Sequence, residues 1–212
     1  MEEKIILPRS FYLNPDVVEV AKSVLGKILV TSSDGIITSG IISETEAYAG
    51  ISDRASHAFG NRRTRRTETM YSAGGKAYIY LCYGVHSLFN IVTNREGIPH
   101  AVLIRGIIPL DGKEVMAERT GKSNIVEGDG SGPGRVTRLL RLHYSQDGLD
   151  LVEKDSKAGI QIWIEDRGLQ ILPEEINITK RIGVDYAGED ALLPYRFCYK
   201  KNSCLWGSYR VA

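Results

Sequence analysis

Alternating and helical patterns of apolar residues divide the first half of the chain into one helix and several strands. Asn14 and Pro15 favour a helix start, as cap and first helical residue, and apolar side chains then recur at three- and four-residue intervals until Gly26. The turn Ser33-Asp34-Gly35 predicts a hairpin between the first two strand-like runs. The predicted strands cover residues 27–31, 36–48, 77–83, 85–93 and 101–108.

The second half of the chain continues this pattern with helices and strands that stand apart from one another. Asp111, with Glu114 three residues later, resembles a capping box and predicts a helix that reaches about Arg119. Because the strands are grouped by hairpins while the helices are separate, we expect an α+β (mixed) fold with a single domain over residues 1–212. The remaining predicted elements are a long polar loop, a helix and two strands, at 49–75, 134–142, 160–164 and 196–199.

Composition is that of a soluble globular protein and points to a reducing compartment. The chain has 212 residues, 42% of them hydrophobic, and its net charge of +1 excludes a uniformly basic nucleic-acid-binding chain. Residues 1–4 lack the apolar core of a signal peptide, and no apolar run reaches membrane-spanning length. The cysteines are odd in number and lack CxxC spacing, so we predict a cytoplasmic protein without disulfides; they are Cys82, Cys198 and Cys204.

Acidic residues on the second predicted strand are the first candidates for chemistry. Glu44, Glu46 and Tyr48 alternate and therefore share one face of that strand. Two acids on a half-buried face cost desolvation energy unless they have partners or water, and that cost often marks a site, although a solvated strand face is the simpler interpretation. Paired carboxylates suggest hydrolysis of a glycosidic bond, but side chains that point the same way cannot flank a sugar. A single base that activates water is the more economical hypothesis.

Tyrosines and an isolated arginine accompany these acids. Tyr78 and Tyr80 share one strand face, where cross-strand packing is the competing explanation, and Tyr83 beside Gly84 is predicted to project from a hairpin tip. Arg105 lies within an apolar run and needs a partner, either Glu46 or another acid in a structural ion pair.

Two acid-free basic runs predict a local phosphate-binding face on an otherwise neutral protein. The first lies within residues 54–66, and the second within 131–146, where arginines at three-residue steps are expected on one side of a short helix. No Walker or dinucleotide motif occurs, and the four histidines lack zinc-site spacing, so neither a cofactor nor a metal is predicted. The arginines of interest are Arg54, Arg62, Arg63, Arg65, Arg66, Arg135, Arg138 and Arg141.

Taken together, these blocks resemble the alkyladenine (3-methyladenine) DNA glycosylases, which are monofunctional base-excision repair enzymes. The resemblance extends over roughly residues 7–206 with order and spacing kept. The matching blocks are Glu44-Thr45-Glu46-Ala47-Tyr48, His57, the run from Tyr78 to Gly84 with Asn90, Leu103-Ile104-Arg105, Gly132-Pro133, Arg181-Ile182-Gly183-Val184 and Arg196-Phe197.

The resemblance implies a monomeric enzyme built around a curved antiparallel sheet with flanking helices and a protruding hairpin. Its partner would be double-stranded DNA that contains alkylated or deaminated purines, and it would need no cofactor. Glu46 would activate the attacking water, with help from Arg105, and Tyr83 would fill the place that the extruded base vacates. Tyr48, His57, Tyr80 and Asn90 would form the base pocket.

Two alternatives remain open at this stage. A non-catalytic nucleic-acid-binding module of related architecture would explain the arginine runs, but it would not explain why Glu46, Tyr48 and Arg105 all occur together. A glycoside hydrolase that uses Glu44 and Glu46 would leave the arginine runs unexplained.

Overall fold

A nine-stranded antiparallel β-sheet organises the part of the chain that the computed structural model describes, residues 5–153 and 159–200. The strand order is β1-β7-β2-β3-β6-β5-β4, and β9 joins β3 and β8. The strands are β1 (Ile5–Ile6), β2 (Ile28–Ser33), β3 (Ile36–Tyr48), β4 (Ala77–Cys82), β5 (His86–Thr93), β6 (His100–Pro109), β7 (Ile160–Asp166), β8 (Ile176–Thr179) and β9 (Arg196–Tyr199).

The long strand β3 is the centre of this sheet. Its first half pairs with β2 and its last part with β9 along the same edge, while β6 pairs with it on the opposite edge from Gly40 to Tyr48. The register shifts on either side of Glu44, as a β-bulge produces. β3 therefore has three neighbouring strands, and two of them, β6 and β9, pair with it at its acidic residues.

Side-chain alternation gives the sheet two different faces. Ala47, Ile79 and Ile104 belong to the main hydrophobic core, on the face that packs against helices α2 and α4. Burial of each large aliphatic side chain stabilises this packing by about 1.5–3 kcal/mol. The opposite face carries polar and aromatic side chains. The helices are α1 (Arg9–Tyr12), α2 (Val17–Ser23), α3 (Lys113–Thr120) and α4 (Pro133–Leu139).

The predicted α+β fold with a curved sheet and a protruding hairpin is confirmed, but the first helix is capped differently. The side chain of Asp16, not that of Asn14, accepts hydrogen bonds from Val18 N and Glu19 N. Asn14 instead accepts from Asp16 N, so both residues order the helix start but only Asp16 caps it. The helix ends at Ser23, before Gly26.

Two further predictions for the second half were wrong. Asp111 does not cap α3, which begins after the left-handed Gly112; its carboxylate accepts from the Ser39 hydroxyl at 2.6 Å and contacts Arg167. The helix predicted over 134–142 ends at Leu139, and Arg141 beyond it has a left-handed φ of 56°. Arg141 therefore does not continue a one-sided arginine row with Arg135 and Arg138.

The long loop 49–75 contains three short 3-10 turns, Gly50–Ser52, Phe59–Asn61 and Glu68–Tyr71. The patterns also missed the short elements β1, α1 and β8. Cys204 and residues 1–4 lie outside the described residues, and a single domain over 1–212 stays a prediction. No helix within 5–153 or 159–200 is long and apolar enough to cross a membrane.

Candidate active site

A cavity of about 470 Å³ opens on the polar and aromatic face of the sheet. Its size suits a small organic ligand or an extruded base. Strands β3 to β6 form one side of the cavity, and the loop 49–75 and a segment after β8 close it. The lining includes Tyr48, Ser56, His57, Arg66, Tyr78, Tyr80, Tyr83, Leu88, Asn90, Leu103, Arg105, Ile182, Val184 and Tyr186.

Glu46 lies directly behind this lining and is fully buried. Its Oε2 accepts a hydrogen bond from the Tyr48 hydroxyl at 2.8 Å, and its Oε1 accepts from Ile182 N at 2.8 Å. Arg105 Nε lies 3.4 Å from the same Oε1. All three partners line the cavity, so the carboxylate sits under its floor.

The environment of Glu46 favours a basic carboxylate that can still be ionised. Burial raises the pKa of Glu46, and the Arg105 charge and the hydrogen bonds from Ile182 and Tyr48 oppose this rise. A carboxylate offers about four lone-pair positions, and the hydrogen bonds from Tyr48 and Ile182 use one position on each oxygen. One position on Oε2 therefore remains for a water molecule.

Tyr48 is positioned by a buried ion pair beneath the cavity. Arg181 binds both carboxylate oxygens of Asp53, with Nη2 to Oδ1 at 2.8 Å, and its guanidinium lies 4.8 Å from the centre of the Tyr48 ring. Arg181 also donates to the Ala47 carbonyl at 2.9 Å. Burial and the neighbouring Glu46 raise the pKa of Tyr48 well above its usual range. Its hydroxyl therefore stays protonated as a donor to Glu46.

His57 forms part of the aromatic wall as a neutral ring. Burial, followed by the charges of Arg66 and Arg62, lowers the pKa of His57 to about 4. Arg66 Nη2 lies 3.3 Å from Nε2, which must accept, so Nδ1 carries the hydrogen and donates to the Tyr78 hydroxyl at 2.9 Å. The ring meets the Tyr80 ring edge to face at 4.6 Å between centroids.

Asn90 is held rigidly on the wall of the cavity. It is 3% exposed, and its Nδ2 donates to the Tyr78 carbonyl at 3.0 Å. The amide oxygen therefore has a fixed direction with respect to the cavity. Tyr80 stands two residues along the same strand from Tyr78, as the alternation predicted, and Arg66 lies 4.9 Å over its ring.

Tyr83 lies at the tip of the β4–β5 hairpin and is 95% exposed. It adopts a left-handed φ of 50°, which bulky residues rarely do. Its side chain lines the mouth of the cavity together with that of Tyr186, which is 70% exposed. Two exposed aromatic side chains thus border the entrance.

The structure divides the predicted phosphate-binding arginines into two sets. Arg66 lies at the cavity mouth, and the exposed Arg62 lines an adjoining groove with Arg54 and Arg66. Arg63 is paired with Glu68. Arg65 and Arg135 are exposed. Arg138 and Arg141 also bind the protein itself, since Arg138 donates to the Arg119 carbonyl at 3.2 Å and Arg141 donates to Asp34 at 2.9 Å.

Sequence reasoning gave no role to several residues that complete the site. Arg181 and Ile182 belong to a block that matched the family, but their use depends on Asp53 and Glu46, which are distant in the chain. Tyr186 gave no signal. Arg105 proved to contact both predicted kinds of partner, since its Nε donates to Glu44 at 2.9 Å as well as approaching Glu46.

No cluster of three or more metal-ligating side chains occurs within the described ranges, 5–153 and 159–200. Cys82 and Cys198, the cysteines inside those ranges, are both free.

Comparison with known proteins decides the family. Residues 10–203 match the family described as Methylpurine-DNA glycosylase (MPG). The chain belongs to the methylpurine-DNA glycosylase family. It is 46% identical to a protein of Chlamydia felis over 91% of this chain and 95% of that protein. It is also 40% identical to one of Clostridium acetobutylicum over 94% and 96% of the two chains. Both relatives carry the name "Putative 3-methyladenine DNA glycosylase".

Membership in the methylpurine-DNA glycosylase family confirms the resemblance and the predicted enzyme class. The protein is a DNA glycosylase, a hydrolase of N-glycosyl bonds that acts on DNA in repair. The non-catalytic binding module and the glycoside hydrolase are accordingly set aside.

Proposed function

We propose that this glycosylase extrudes damaged purines from duplex DNA and hydrolyses their N-glycosidic bond with a water molecule activated by Glu46, leaving an abasic site. The substrates are 3-methyladenine and 7-methylguanine, with hypoxanthine or ethenoadenine as neutral lesions. One observation supports this above all others. A fully buried carboxylate, with a lone-pair position to spare, lies directly under an aromatic cavity whose mouth carries an exposed tyrosine.

In the reaction, Glu46 accepts a proton as the water oxygen forms a bond to C1′ of the deoxyribose. The bond between C1′ and the base nitrogen breaks, and the base leaves with its electron pair. Arg105 and the main chain near it hold the water in line for this attack. A positioned general base contributes a factor of roughly 10²–10⁴ to such a reaction.

Burial of Glu46 suits this role and gives it a pH dependence. Since burial raises its pKa, the carboxyl becomes protonated, and inactive as a base, at a higher pH than an ordinary glutamate would. The rate of base release should therefore fall as the pH drops through this raised pKa.

The cavity favours cationic leaving groups. The described residues that line it include no carboxyl group and no lysine, and His57 is neutral with a pKa of about 4. A methylated purine already carries positive charge and leaves as a neutral base, whereas hypoxanthine needs a proton from elsewhere. We therefore expect slower release of neutral lesions. Without a lysine to form a Schiff base, release should leave the DNA strand uncut.

The aromatic walls of the cavity stack against the extruded base, and the hairpin tip fills the place that the base leaves in the duplex. Stacking against Tyr48, His57 and Tyr80 would return about 1–3 kcal/mol per base, against an unstacking cost of a few kcal/mol that is smallest for damaged or mispaired bases. Tyr83 fills the gap in the duplex. Asn90 screens the purine edge and disfavours the exocyclic amine of normal guanine.

The proposed phosphate contacts are made by the exposed Arg62, Arg65 and Arg66, of which Arg62 and Arg66 line the groove beside the cavity. Arg135 is exposed as well, whereas Arg63, Arg138 and Arg141 would first have to leave partners within the protein. The enzyme acts as a monomer in the cytoplasm.

A product assay tests the proposed function. The protein is incubated with duplexes that carry 7-methylguanine, hypoxanthine or no lesion, and free base, abasic sites and strand breaks are measured separately. We expect free base and abasic sites in equal amounts, faster release of 7-methylguanine, and no strand breaks. Strand cleavage in step with base release, or release from undamaged DNA at the same rate, would contradict the proposal.

A further inference from the structure

We propose that Glu44 is a positioning residue that holds the Arg105 guanidinium away from Glu46, so that Glu46 stays free to accept a proton from water. This inference rests on the proposed role of Glu46 as the base. The Glu44-Thr45-Glu46 motif contains two acids, and the proposed reaction uses only Glu46.

Glu44 joins two arginines through one oxygen. Its Oε1 accepts from Arg105 Nε at 2.9 Å and from Arg196 Nε at 2.6 Å. Arg105 Nε lies farther, 3.4 Å, from Glu46 Oε1. The side chains of Glu44 and Arg105 are 14% and 13% exposed, so water screens their attraction only weakly. Arg105 is thus shared between two carboxylates, with the shorter contact to Glu44.

The backbone around Glu44 is shaped to allow this contact. The bulge in β3 falls at Glu44, which pairs with Gly106 on one side and Cys198 on the other. A Cβ atom at Gly106 would lie 3.0 Å from the Cβ of Glu44 and 3.4 Å from its Oε2. The glycine therefore leaves the space that the Glu44 side chain occupies.

The charges around Glu46 give Glu44 and Arg196 opposite effects. The positive charge of Arg105 lowers the pKa of Glu46, while the negative charge of Glu44 raises it. Arg196 lies opposite Glu46 on β9 and interacts with it. The titratable and charged groups that face Glu46 are Glu44, Tyr48, Arg105, Arg181, Arg196 and Cys198.

Removal of the Glu44 charge and removal of the Arg196 charge should therefore shift the reaction in opposite directions. In Glu44→Gln, Arg105 and Arg196 both turn toward Glu46 and make it a weaker base. In Arg196→Gln, Glu44 binds Arg105 alone and draws it farther from Glu46, which becomes harder to deprotonate. A change that merely loosens the site would move both variants the same way.

The experiment measures single-turnover release of 7-methylguanine from duplex DNA against pH, from about pH 5 to about pH 9, with spontaneous release subtracted. A cationic lesion is chosen because it needs no leaving-group acid. The fall in rate at low pH, which is the acidic limb of the pH profile, therefore reports on the protonation of Glu46 alone. For Glu44→Gln we expect this limb about one pH unit lower, and about tenfold slower release at neutral pH. For Arg196→Gln we expect the limb to move to higher pH.

A matched control removes a carboxylate from another arginine pair. Glu165 on β7 accepts from Arg167 and Trp163 at 2.8 Å each, two strands away from Glu44. Glu165→Gln should leave the acidic limb where it is. Affinity for the duplex should stay within about threefold of wild type in all three variants, because none of these residues is proposed to contact DNA.

The outcomes separate this inference from the proposed function. An unchanged limb in Glu44→Gln, or limbs that move in the same direction in Glu44→Gln and Arg196→Gln, would overturn the role of Glu44. If Glu44→Gln does not fold, Arg196→Gln can still overturn the inference, which a limb that stays in place or moves to lower pH would do. Wild-type release by Glu46→Gln, measured in the same series, would instead overturn the proposed function itself.

Discussion

Two hairpins of the same sheet, one with a two-residue loop and one with a three-residue loop, share a pair of consecutive left-handed residues but differ in chemistry. In the β2–β3 turn Asp34 and Gly35 have φ values of 54° and 79°, and in the β4–β5 turn Tyr83 and Gly84 have 50° and 70°. Two consecutive residues with positive φ are what a tight hairpin of right-handed twist requires. Aspartate and glycine suit that backbone, whereas tyrosine does not.

The difference shows where local preference gives way to function. A side chain with a Cβ pays about 1–2 kcal/mol for a left-handed conformation, and Asp34 offsets part of it by pairing with Arg141 at 2.9 Å. Tyr83 is 95% exposed and so gains little packing within the protein. A residue that breaks a local rule without a compensating contact points to a partner outside the chain, which agrees with the proposed insertion of Tyr83 into the duplex.

Among the changes that compare the two hairpins, the largest effect on DNA binding is expected from replacing Tyr83 with a residue that suits the turn. Tyr83→Asn should raise the free energy of unfolding by about 0.5–1 kcal/mol, because asparagine tolerates this backbone. It should also weaken retention on damaged duplex by about tenfold or more, through lost stacking. Denaturant unfolding and binding to duplex and single-stranded DNA measure the two effects. Equal loss of affinity on duplex and single strand would argue against a wedge.

The reciprocal change comes next in size. Asp34→Tyr places a bulky residue in the turn of the other hairpin, which borders neither the cavity nor the adjoining groove, and removes the pair with Arg141. We expect the free energy of unfolding to fall by about 1–2 kcal/mol. Base release at a temperature where the variant is folded should be unchanged. A gain in stability here would show that the turn at Tyr83 carries no strain either.

The smallest effect contrasts one arginine from each region. Arg66 lies over Tyr80 at the cavity mouth, and Arg141 is paired beside the β2–β3 turn with its side chain 56% exposed. For Arg66→Ala the slope of log affinity for DNA against log salt should become shallower by about one. For Arg141→Ala it should not change, and stability should fall by less than about 1 kcal/mol. An equal change in slope would place Arg141 on the DNA surface.

The sequence predicted regular elements well where one periodic pattern dominated. The strand Ile36–Tyr48 was predicted with its observed bounds, because apolar residues and a preferred turn agree along it. Asn14 and Asp16 are equally good caps by type, so the pattern could not choose between them. Asp111 fitted a capping box, but a tertiary contact with Ser39 uses its carboxylate instead.

The candidate site was predictable as a set of residues but not as a network. Alternation brought Glu46 and Tyr48 to one face, as found, and the 2.8 Å hydrogen bond between them follows from that spacing. The bulge at Glu44 leaves no periodic signal. Arg181 meets Asp53 across 128 residues of chain, a contact that only the folded structure reveals.

Glu46→Gln provides the most direct test of the central claim, that a buried carboxylate activates the attacking water. Glutamine keeps the size of the side chain but cannot take up a proton as a carboxylate does. Binding and single-turnover release of 7-methylguanine are measured on the same damaged duplex at saturating enzyme. We expect affinity within about threefold of wild type and release slower by about 10²-fold or more. Release at the wild-type rate by bound Glu46→Gln would contradict the claim.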